Sequence, residues 1–135
     1  MKLRKVSYAK LNSRQQEVFN FQKVAGHLAE YGFNCIKLAD DWQGADFLAY
    51  HKDGNSTLKV QLKSRVVVSK RYLGKSLFIA FPIRGEWHLA EHDHLVALIK
   101  EHTTWLTSDS WRHGGGYSSA SPNTNLVAAL AEWKL

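Results

Sequence analysis

Residues 44–63 read GADFLAYHKDGNSTLKVQLK, and this stretch predicts a β-hairpin around which the rest of the chain is arranged. Its second half alternates apolar and polar residues, which is the period of a half-buried strand. The Asp53-Gly54 pair suits the positive backbone angles of a tight type I′ turn. We therefore predict strands from Phe47 to Tyr50 and from Thr57 to Val68, joined at that turn.

The turn also determines which side chains meet at the open end of the hairpin. A turn centred on Asp53 and Gly54 pairs Asp46 with Gln61, and directly opposed residues point to the same face with β carbons about 5 Å apart. Lys63 lies two residues further along the second strand, on that same face. A carboxylate, an amide oxygen and an ammonium are therefore expected to converge there.

This combination of groups suits a hard metal cation beside a phosphate. Mg²⁺ takes oxygen ligands and often uses only one or two carboxylates together with substrate phosphate. Asp46 would be the principal ligand, with the Gln61 side-chain oxygen and the Leu62 backbone carbonyl beside it. Lys63 would orient or activate a water, or neutralise charge on the phosphate. These roles fit metal-assisted hydrolysis of a phosphodiester, although a solvated hairpin face with an ordinary cross-strand ion pair would give the same pattern.

Here the sequence resembles the PD-(D/E)XK nuclease superfamily over about residues 17–81. The resemblance consists of Glu17 in the first predicted helix, GADF at residues 44–47 entering a strand, and VQLK at residues 60–63 in the next strand. The order helix, strand, hairpin, strand also resembles the core of that fold. In that family, which includes Holliday-junction resolvases and many restriction endonucleases, these positions form an Mg²⁺ site that cleaves DNA.

The resemblance implies that Asp46 is the metal-binding aspartate and Lys63 the catalytic lysine. Gln61 stands where most members have Glu or Asp, and some members resemble this chain in having Gln there. The substitution removes one negative charge, which should weaken metal binding. The implied cofactor is Mg²⁺ or Mn²⁺. The implied fold is α/β, with a restriction-endonuclease-like mixed, mainly antiparallel sheet flanked by helices.

Glu17 lies in a helix predicted from about Ser13 to Tyr31. Ser13 followed by Gln16 is typical of a capping box, and Gly32 suits a left-handed C-cap. The apolar face of this helix comprises Val18, Phe21, Val24, Ala25 and Leu28. Glu17 falls in line with that face, where an acid is costly unless it is paired or bound to a cation. The resemblance implies a Glu that assists in the metal site; the alternative is an acid in the first turn that favours the helix dipole and still reaches water.

The rest of the chain predicts shorter elements around this hairpin. Strands are expected from Phe33 to Leu38, Leu77 to Phe81 and Trp87 to Ala90, a polar loop from Asp40 to Ala45, and helices from His94 to His102 and Leu126 to Trp133. Residues 103–121 have no clear period. We expect a single domain over residues 1–135, with a core at about 13–100 and a C-terminal extension at 103–135.

A basic, hydroxyl-bearing stretch follows the proposed site. Its candidate DNA contacts are Arg65, Ser69, Lys70, Arg71 and Lys75. Such groups hold phosphates and make binding dependent on salt, but they would equally suit a solvated surface loop. Trp42 precedes Asp46 in the predicted polar loop, where it would either line the substrate cleft or pack against the sheet.

Composition limits the classes of partner and compartment. The 135 residues include 18 Lys and Arg against 12 Asp and Glu, and the net charge of +6 favours an anionic partner such as nucleic acid. The single cysteine, Cys35, excludes a disulfide framework within the chain and a Cys-rich zinc site. No apolar run reaches the roughly 18 residues needed to span a membrane, and the start lacks the apolar core of a signal peptide. We therefore expect a cytoplasmic protein.

Together these observations predict an Mg²⁺-dependent DNA endonuclease that is structure-selective, as resolvases are. Cleavage of two strands or of a junction would favour a homodimer, because one such domain carries one site. Two alternatives stay open. The same fold could serve as a catalytically inactive nucleic-acid-binding module, with chemistry lost at Gln61, or exposed tryptophans could make the chain a protein-interaction domain.

Overall fold

The structure is a computed structural model that describes all of residues 1–135. It contains four helices, seven strands and four short 3-10 turns. In chain order the helices and strands are α1 (Ser13–Ala29), β1 (Phe33–Trp42), β2 (Ala45–His51), β3 (Thr57–Leu62), β4 (Val66–Ser69), β5 (Leu77–Ile83), β6 (Glu86–Glu91), α2 (His92–His102), α3 (Asp109–Arg112), β7 (Gly116–Ser119) and α4 (Thr124–Ala129). The 3-10 turns are Tyr8–Lys10, Lys70–Tyr72, Trp105–Thr107 and Ala131–Trp133. None of the helices has the length and apolar character needed to cross a bilayer.

Five strands form the main sheet, in the order β1-β2-β3-β5-β6. All neighbouring pairs are antiparallel except β3 and β5, which are parallel. The sheet is therefore mixed and mainly antiparallel, which confirms the predicted fold class. Since β2 runs against β3, the beginning of β2 and the end of β3 lie side by side at one end of the sheet. Asp46 and Lys63 are found at that end.

The central hairpin has the predicted register but a different turn. Phe47 pairs with Val60, and the same register places Asp46 opposite Gln61. The type I′ turn predicted at residues 53 and 54 is wrong, because Gly54 alone of the two has a positive φ, of 76°.

A longer loop replaces the predicted turn. In it the Gly54 N–H donates to the His51 carbonyl, and Asp53 Oδ1 accepts a hydrogen bond of 2.7 Å from the Asn55 N–H. Asp side chains readily form such local bonds to the backbone two residues on. The bond holds the loop while Asp53 keeps a negative φ. The register of the hairpin is therefore reached without a type I′ turn.

The type I′ geometry occurs instead at two other hairpins. Gln43-Gly44, with φ of 52° and 86°, joins β1 to β2, and Arg84-Gly85, with φ of 51° and 77°, joins β5 to β6. The predicted polar loop over residues 40–45 is therefore wrong, because β1 continues up to this two-residue turn. β1 reaches the turn through an irregular register after Lys37, as at a β-bulge.

The third predicted strand is divided into two. β3 ends at Leu62, and the chain turns through residues 63–65 before β4 pairs with β7 in a separate two-stranded ribbon. A single strand reaching Val68 is therefore wrong. The chain leaves the sheet because Val66 and Val68 are fully buried in a cluster that covers one of its faces. We call the β4–β7 pair the ribbon.

The N-terminal cap of α1 differs from the prediction by one residue. Asn12 is the N-cap and Gln15 completes a reciprocal capping box, so the predicted box of Ser13 and Gln16 is wrong. Asn is as effective as Ser at accepting a free backbone N–H at this position. Gly32 follows the helix end with a φ of 85°, as predicted.

Two hydrophobic clusters cover the two faces of the sheet. The buried residues on the face covered by α1 are Val24, Leu28, Phe47, Ala49, Val60, Ala80 and Trp87. The other face is covered by α2, α4 and the ribbon, and its cluster includes Trp111, Leu126 and Leu130. Residues after position 103 therefore contribute to burying the sheet.

The elements near the C-terminus begin and end differently from the predictions. α2 begins at His92, two residues before the predicted start, and the His92 side chain is fully buried. The predicted closing helix is two shorter elements, α4 and a 3-10 turn. The segment without a clear period contains α3 and β7, which are too short to produce one.

Candidate active site

A cleft of about 820 Å³ lies between the first turns of α1 and the end of the sheet where β2 begins and β3 ends. Asp46, Leu62, Lys63 and Glu17 all line it, so four of the five residues predicted to bind metal or to catalyse share one cavity. Two others do not: Gln61 is buried beside the cleft, and Trp42 is 48% exposed outside it.

Asp46 is held at the start of β2 by a backbone hydrogen bond. Its Oδ2 accepts from the Leu62 N–H at 2.8 Å. The N–H and C=O of a strand residue point to the same side, so the Leu62 carbonyl is directed towards the same region as the bond to Asp46. The Asp46 carboxylate thus takes the place of the backbone carbonyl that would otherwise accept from the Leu62 N–H. The sheet therefore determines the position of this carboxylate.

Burial raises the pKa of the Asp46 carboxyl above its usual value. The Leu62 N–H and the Lys63 charge act in the opposite direction, while the nearby Asp41 and Glu17 carboxylates raise the pKa further. The net direction means that negative charge at this point is not fully balanced by the protein. A bound cation would supply the missing positive charge.

Lys63 is the first residue after β3, and its backbone N–H donates to the Ala80 carbonyl at 2.9 Å. This bond ties it to β5 although it lies outside the strand. Its half-buried side chain forms no salt bridge and no hydrogen bond within the protein. The ammonium is therefore free to bind a ligand, and it lines both the cleft and a smaller groove beside the ribbon.

Gln61 provides a buried oxygen without a partner. The residue is 7% exposed, and its Oε1 has no hydrogen-bond donor. An unpartnered buried carbonyl is costly, and native proteins rarely leave one unsatisfied. The cross-strand position of Gln61 places it opposite Asp46, so a cation or a water in this region would satisfy it.

Glu17 is exposed, so its carboxylate reaches water, as in the alternative interpretation of this residue. It does share a helix face with the buried Asn20, Val24 and Leu28. The first turns of α1, however, face the cleft rather than the sheet. Glu17 therefore stands at the cleft wall, where it reaches water and still faces Asp46.

Several residues of the cleft were missed by the sequence analysis. Asp40 and Asp41 line it, together with Arg14 and Lys37. Asp41 Oδ1 accepts from the Gly44 N–H at 2.8 Å, a bond that fastens the type I′ turn beside Asp46. The sequence signal for these two acids is their position shortly before the Gln43-Gly44 turn, but a polar loop predicted over residues 40–45 gives them no defined direction.

The basic stretch is divided between structural and free side chains. Lys70 Nζ donates to the Arg112 carbonyl at 3.3 Å and lies 5.6 Å from the centre of the Trp111 ring, so it ties the ribbon to α3. Arg71 donates to the Tyr72 hydroxyl at 2.9 Å. The side chains of Arg65 and Lys75 make no hydrogen bond or salt bridge and belong to exposed residues.

The oxygen donors at the site fit a hard cation held by few protein ligands. No three His, Cys, Asp or Glu side chains are grouped closely enough to hold a metal ion, which excludes a site of zinc type. The Asp46 carboxylate, the Leu62 carbonyl and the unpartnered Gln61 Oε1 are all oxygens. Mg²⁺ and Mn²⁺ prefer such ligands, and substrate phosphate completes many Mg²⁺ sites. The residues present therefore fit either ion.

The fold matches that of a bacterial homing endonuclease, with a TM-score of 0.51 and 16% identity over 84% of this chain and 80% of the endonuclease. The chain therefore has a restriction-endonuclease-like fold, as predicted. The Holliday junction resolvase Hjc of Archaeoglobus fulgidus is similar over 56% of this chain and 72% of that chain, with a TM-score of 0.44 and 19% identity. No protein-family model and no curated protein sequence matches the chain.

Proposed function

We propose that this protein is an Mg²⁺-dependent DNA endonuclease that hydrolyses phosphodiester bonds. One observation carries the proposal: the Asp46 carboxylate is fixed by the Leu62 N–H in the same cleft as the unpaired Lys63 ammonium. A half-buried carboxylate beside a free ammonium suits a cation on one side and a phosphate on the other.

The metal would be held by Asp46, the Leu62 carbonyl and the Gln61 Oε1, with Glu17 assisting from the cleft wall. Mg²⁺ or Mn²⁺ bound there would act as a Lewis acid on a phosphoryl oxygen. Asp46 is suited to the principal role because the sheet, rather than a flexible loop, determines the position of its carboxylate.

Lys63 performs the remaining chemistry in this proposal. Its ammonium has no protein partner, so it can donate to the attacking water or to a phosphoryl oxygen that gains charge in the transition state. The bond from its N–H to the Ala80 carbonyl fixes its backbone relative to β5. The side chain therefore extends into the cleft from a fixed point of the sheet.

DNA is the proposed substrate because the chain carries a net charge of +6 and has a nuclease fold. We extend the proposal to a structure-selective, resolvase-like activity in a homodimer, since cleavage of a junction or of two strands requires two sites. We place the protein in the cytoplasm, where its single thiol, with a pKa raised by burial to about 11, would stay reduced.

A catalytically inactive DNA-binding module is the second candidate, and Gln61 is the observation that favours it. Gln61 contributes no negative charge to a site that already has few carboxylate ligands. The protein-interaction alternative has less support, because Trp87 and Trp111 are buried and Trp42 is the one strongly exposed tryptophan.

The experiment is cleavage of supercoiled plasmid and of a branched DNA with Mg²⁺ or Mn²⁺. We expect the wild type to nick, and Asp46→Asn to abolish nicking because the neutral amide holds a cation poorly. Lys52→Ala is the matched control, since Lys52 is exposed at the opposite end of the hairpin. Binding of DNA without cleavage, unchanged in Asp46→Asn, would replace the nuclease with the binding module.

A further inference from the structure

A groove of about 370 Å³ lies on the outward side of the ribbon and shares Lys63 with the cleft. Its lining includes Ser69, Arg71, Gly116 and Ser118, and it contains no Asp or Glu. Ser69 and Arg71 belong to the basic stretch with predicted DNA contacts, whereas β7, which supplies the other wall, was not predicted. We call this cavity the ribbon groove.

The register of the ribbon explains why its outward face is small and polar. Val67 pairs with Ser118, and Ser69 pairs with Gly116, so these four residues share one face. The alternate residues point inward, where Val66 and Val68 are fully buried. Beside Val67, the outward face therefore presents two hydroxyl groups and Gly116. The glycine, which has no side chain, lets another backbone approach closely.

Two cationic side chains, those of Arg71 and Lys63, line this groove, and both are free to bind an anion. Arg71 lies with its guanidinium 4.9 Å from the Tyr72 ring centre and donates one bond to the Tyr72 hydroxyl. Tyr72 is only 3% exposed, so this contact anchors the guanidinium to the core. Arg71 forms no salt bridge and retains its other donors, and Lys63 is likewise unpaired.

The aromatic residues of the groove are largely occupied within the protein. Tyr117 stacks on Trp105 at 4.6 Å between ring centres, and Tyr72 is buried. The groove therefore offers little of the aromatic surface on which single-stranded bases stack. Hydroxyls, backbone groups and guanidinium donors are instead the partners of phosphate and sugar.

We propose that the ribbon groove binds the sugar–phosphate backbone of DNA where it leaves the cleft, independently of base sequence and without a metal ion. This rests on the proposed function in that Lys63 would then bridge the scissile phosphate and the backbone beyond it. The groove supplies cations and hydroxyls without opposing carboxylates, whereas carboxylates outnumber the cationic side chains in the lining of the cleft.

The test measures affinity for a fluorescein-labelled duplex in EDTA by anisotropy, over a series of salt concentrations. Ser118→Asp places a carboxylate on the outward face and should weaken binding by about tenfold or more. Ser118→Asn has the same size without the charge, so the ratio of the two variants reports charge alone. Arg71→Ala should lower the slope of log K against log salt by about 0.9, the value for one phosphate contact.

Lys52→Ala removes one charge at the far end of the sheet and should leave the affinity near that of the wild type. Circular dichroism of each variant identifies any that fails to fold, and Arg71→Gln, which also removes the charge but keeps a polar side chain, then replaces Arg71→Ala. Equal affinity of Ser118→Asp and Ser118→Asn, with plasmid nicking intact, would overturn the groove but not the nuclease. A large ratio without nicking by the wild type would support the groove and overturn the nuclease. No duplex binding in EDTA would overturn the groove.

Discussion

The cleft and the ribbon groove meet at Lys63 but differ in charge. The cleft is lined by four carboxylates, from Glu17, Asp40, Asp41 and Asp46, whereas the groove has none. A phosphate in the cleft meets these carboxylates as well as the cations of Arg14, Lys37 and Lys63, whereas a phosphate in the groove meets hydroxyls and ammonium or guanidinium groups without an opposing acid. In the proposed function, catalysis and DNA binding are therefore separable by substitution, and we expect the cleft to respond to metal and the groove to salt.

The largest expected effect is the loss of cleavage in Lys63→Gln. Removal of a group that orients water or neutralises phosphate charge should lower the nicking rate at saturating DNA by about 10²- to 10⁴-fold. Single-turnover nicking of supercoiled plasmid measures this. The duplex affinity should fall far less than the rate, since Arg71 still serves the groove. A variant that nicks at the wild-type rate would remove Lys63 from the chemistry.

The next effect concerns the neutral side chain of Gln61, which is buried opposite Asp46. Gln61→Glu adds a charged oxygen opposite Asp46 and should lower the Mg²⁺ concentration for half-maximal nicking by roughly tenfold or more, the range typical of changes around metal ligands. The shift of Tm on adding Mg²⁺ gives a second measurement that does not require activity. The same Mg²⁺ dependence in both proteins would mean that Gln61 lies outside the metal site.

A smaller effect follows from the raised pKa of Asp46. Ionisation of a carboxyl whose pKa is raised in the folded state destabilises the fold. This destabilisation is absent below the usual pKa of 3.8 and develops as the pH rises towards and through the folded pKa. Asp46→Asn should therefore raise the Tm by a few degrees at pH 7 in EDTA, and this gain should disappear near pH 3. Thermal unfolding monitored by circular dichroism measures both.

Asp53 offers a control of opposite sign for that experiment. The Asn55 N–H lowers the pKa of Asp53, so its ionised form stabilises the fold above pH 3.8, and this contribution is lost as the pH falls through the folded pKa. Asp53→Asn should thus lower the Tm slightly at pH 7. If both variants moved the Tm in the same direction, the loss of charge would not be the cause.

The smallest effect is expected for Tyr72→Phe in the groove. It removes the hydroxyl that accepts from Arg71 while keeping the buried ring. The affinity for duplex in EDTA should fall by less than in Arg71→Ala, because the charge remains and only its anchor is lost. Plasmid nicking with Mg²⁺ should follow the change in affinity at low DNA concentration. A loss larger than that of Arg71→Ala would show that Tyr72 acts through packing.

Most of the candidate site could be predicted because it depends on the register of one hairpin. Leu58, Val60 and Leu62 alternate with polar residues, and a one-residue slip would turn the apolar set away from α1. The pattern therefore placed Asp46 opposite Gln61 even though the turn type was wrong. The roles of these residues in metal binding and catalysis stay predictions.

The cleft wall and the ribbon could not be predicted in the same way. Asp40 and Asp41 look like loop residues in the sequence, because β1 reaches the turn through an irregular register that disrupts the alternation. The four-residue strands of the ribbon are too short for a recognisable period, and β7 lies about 50 residues after β4 in the chain. Nothing local indicates that they pair.

The sequence by itself determined the hairpin register, the α1 helix and the position of Asp46 relative to Gln61, because these follow from side-chain periodicity within one short segment. Only the tertiary structure decided that Glu17 faces a cleft rather than the core, that Gln61 Oε1 is buried without a partner, and that Lys63 stands between an acidic cleft and a groove without acids. These features arise where segments distant in the chain pack together. The burial and the local charge of each group depend on both segments, so neither segment's sequence predicts them alone.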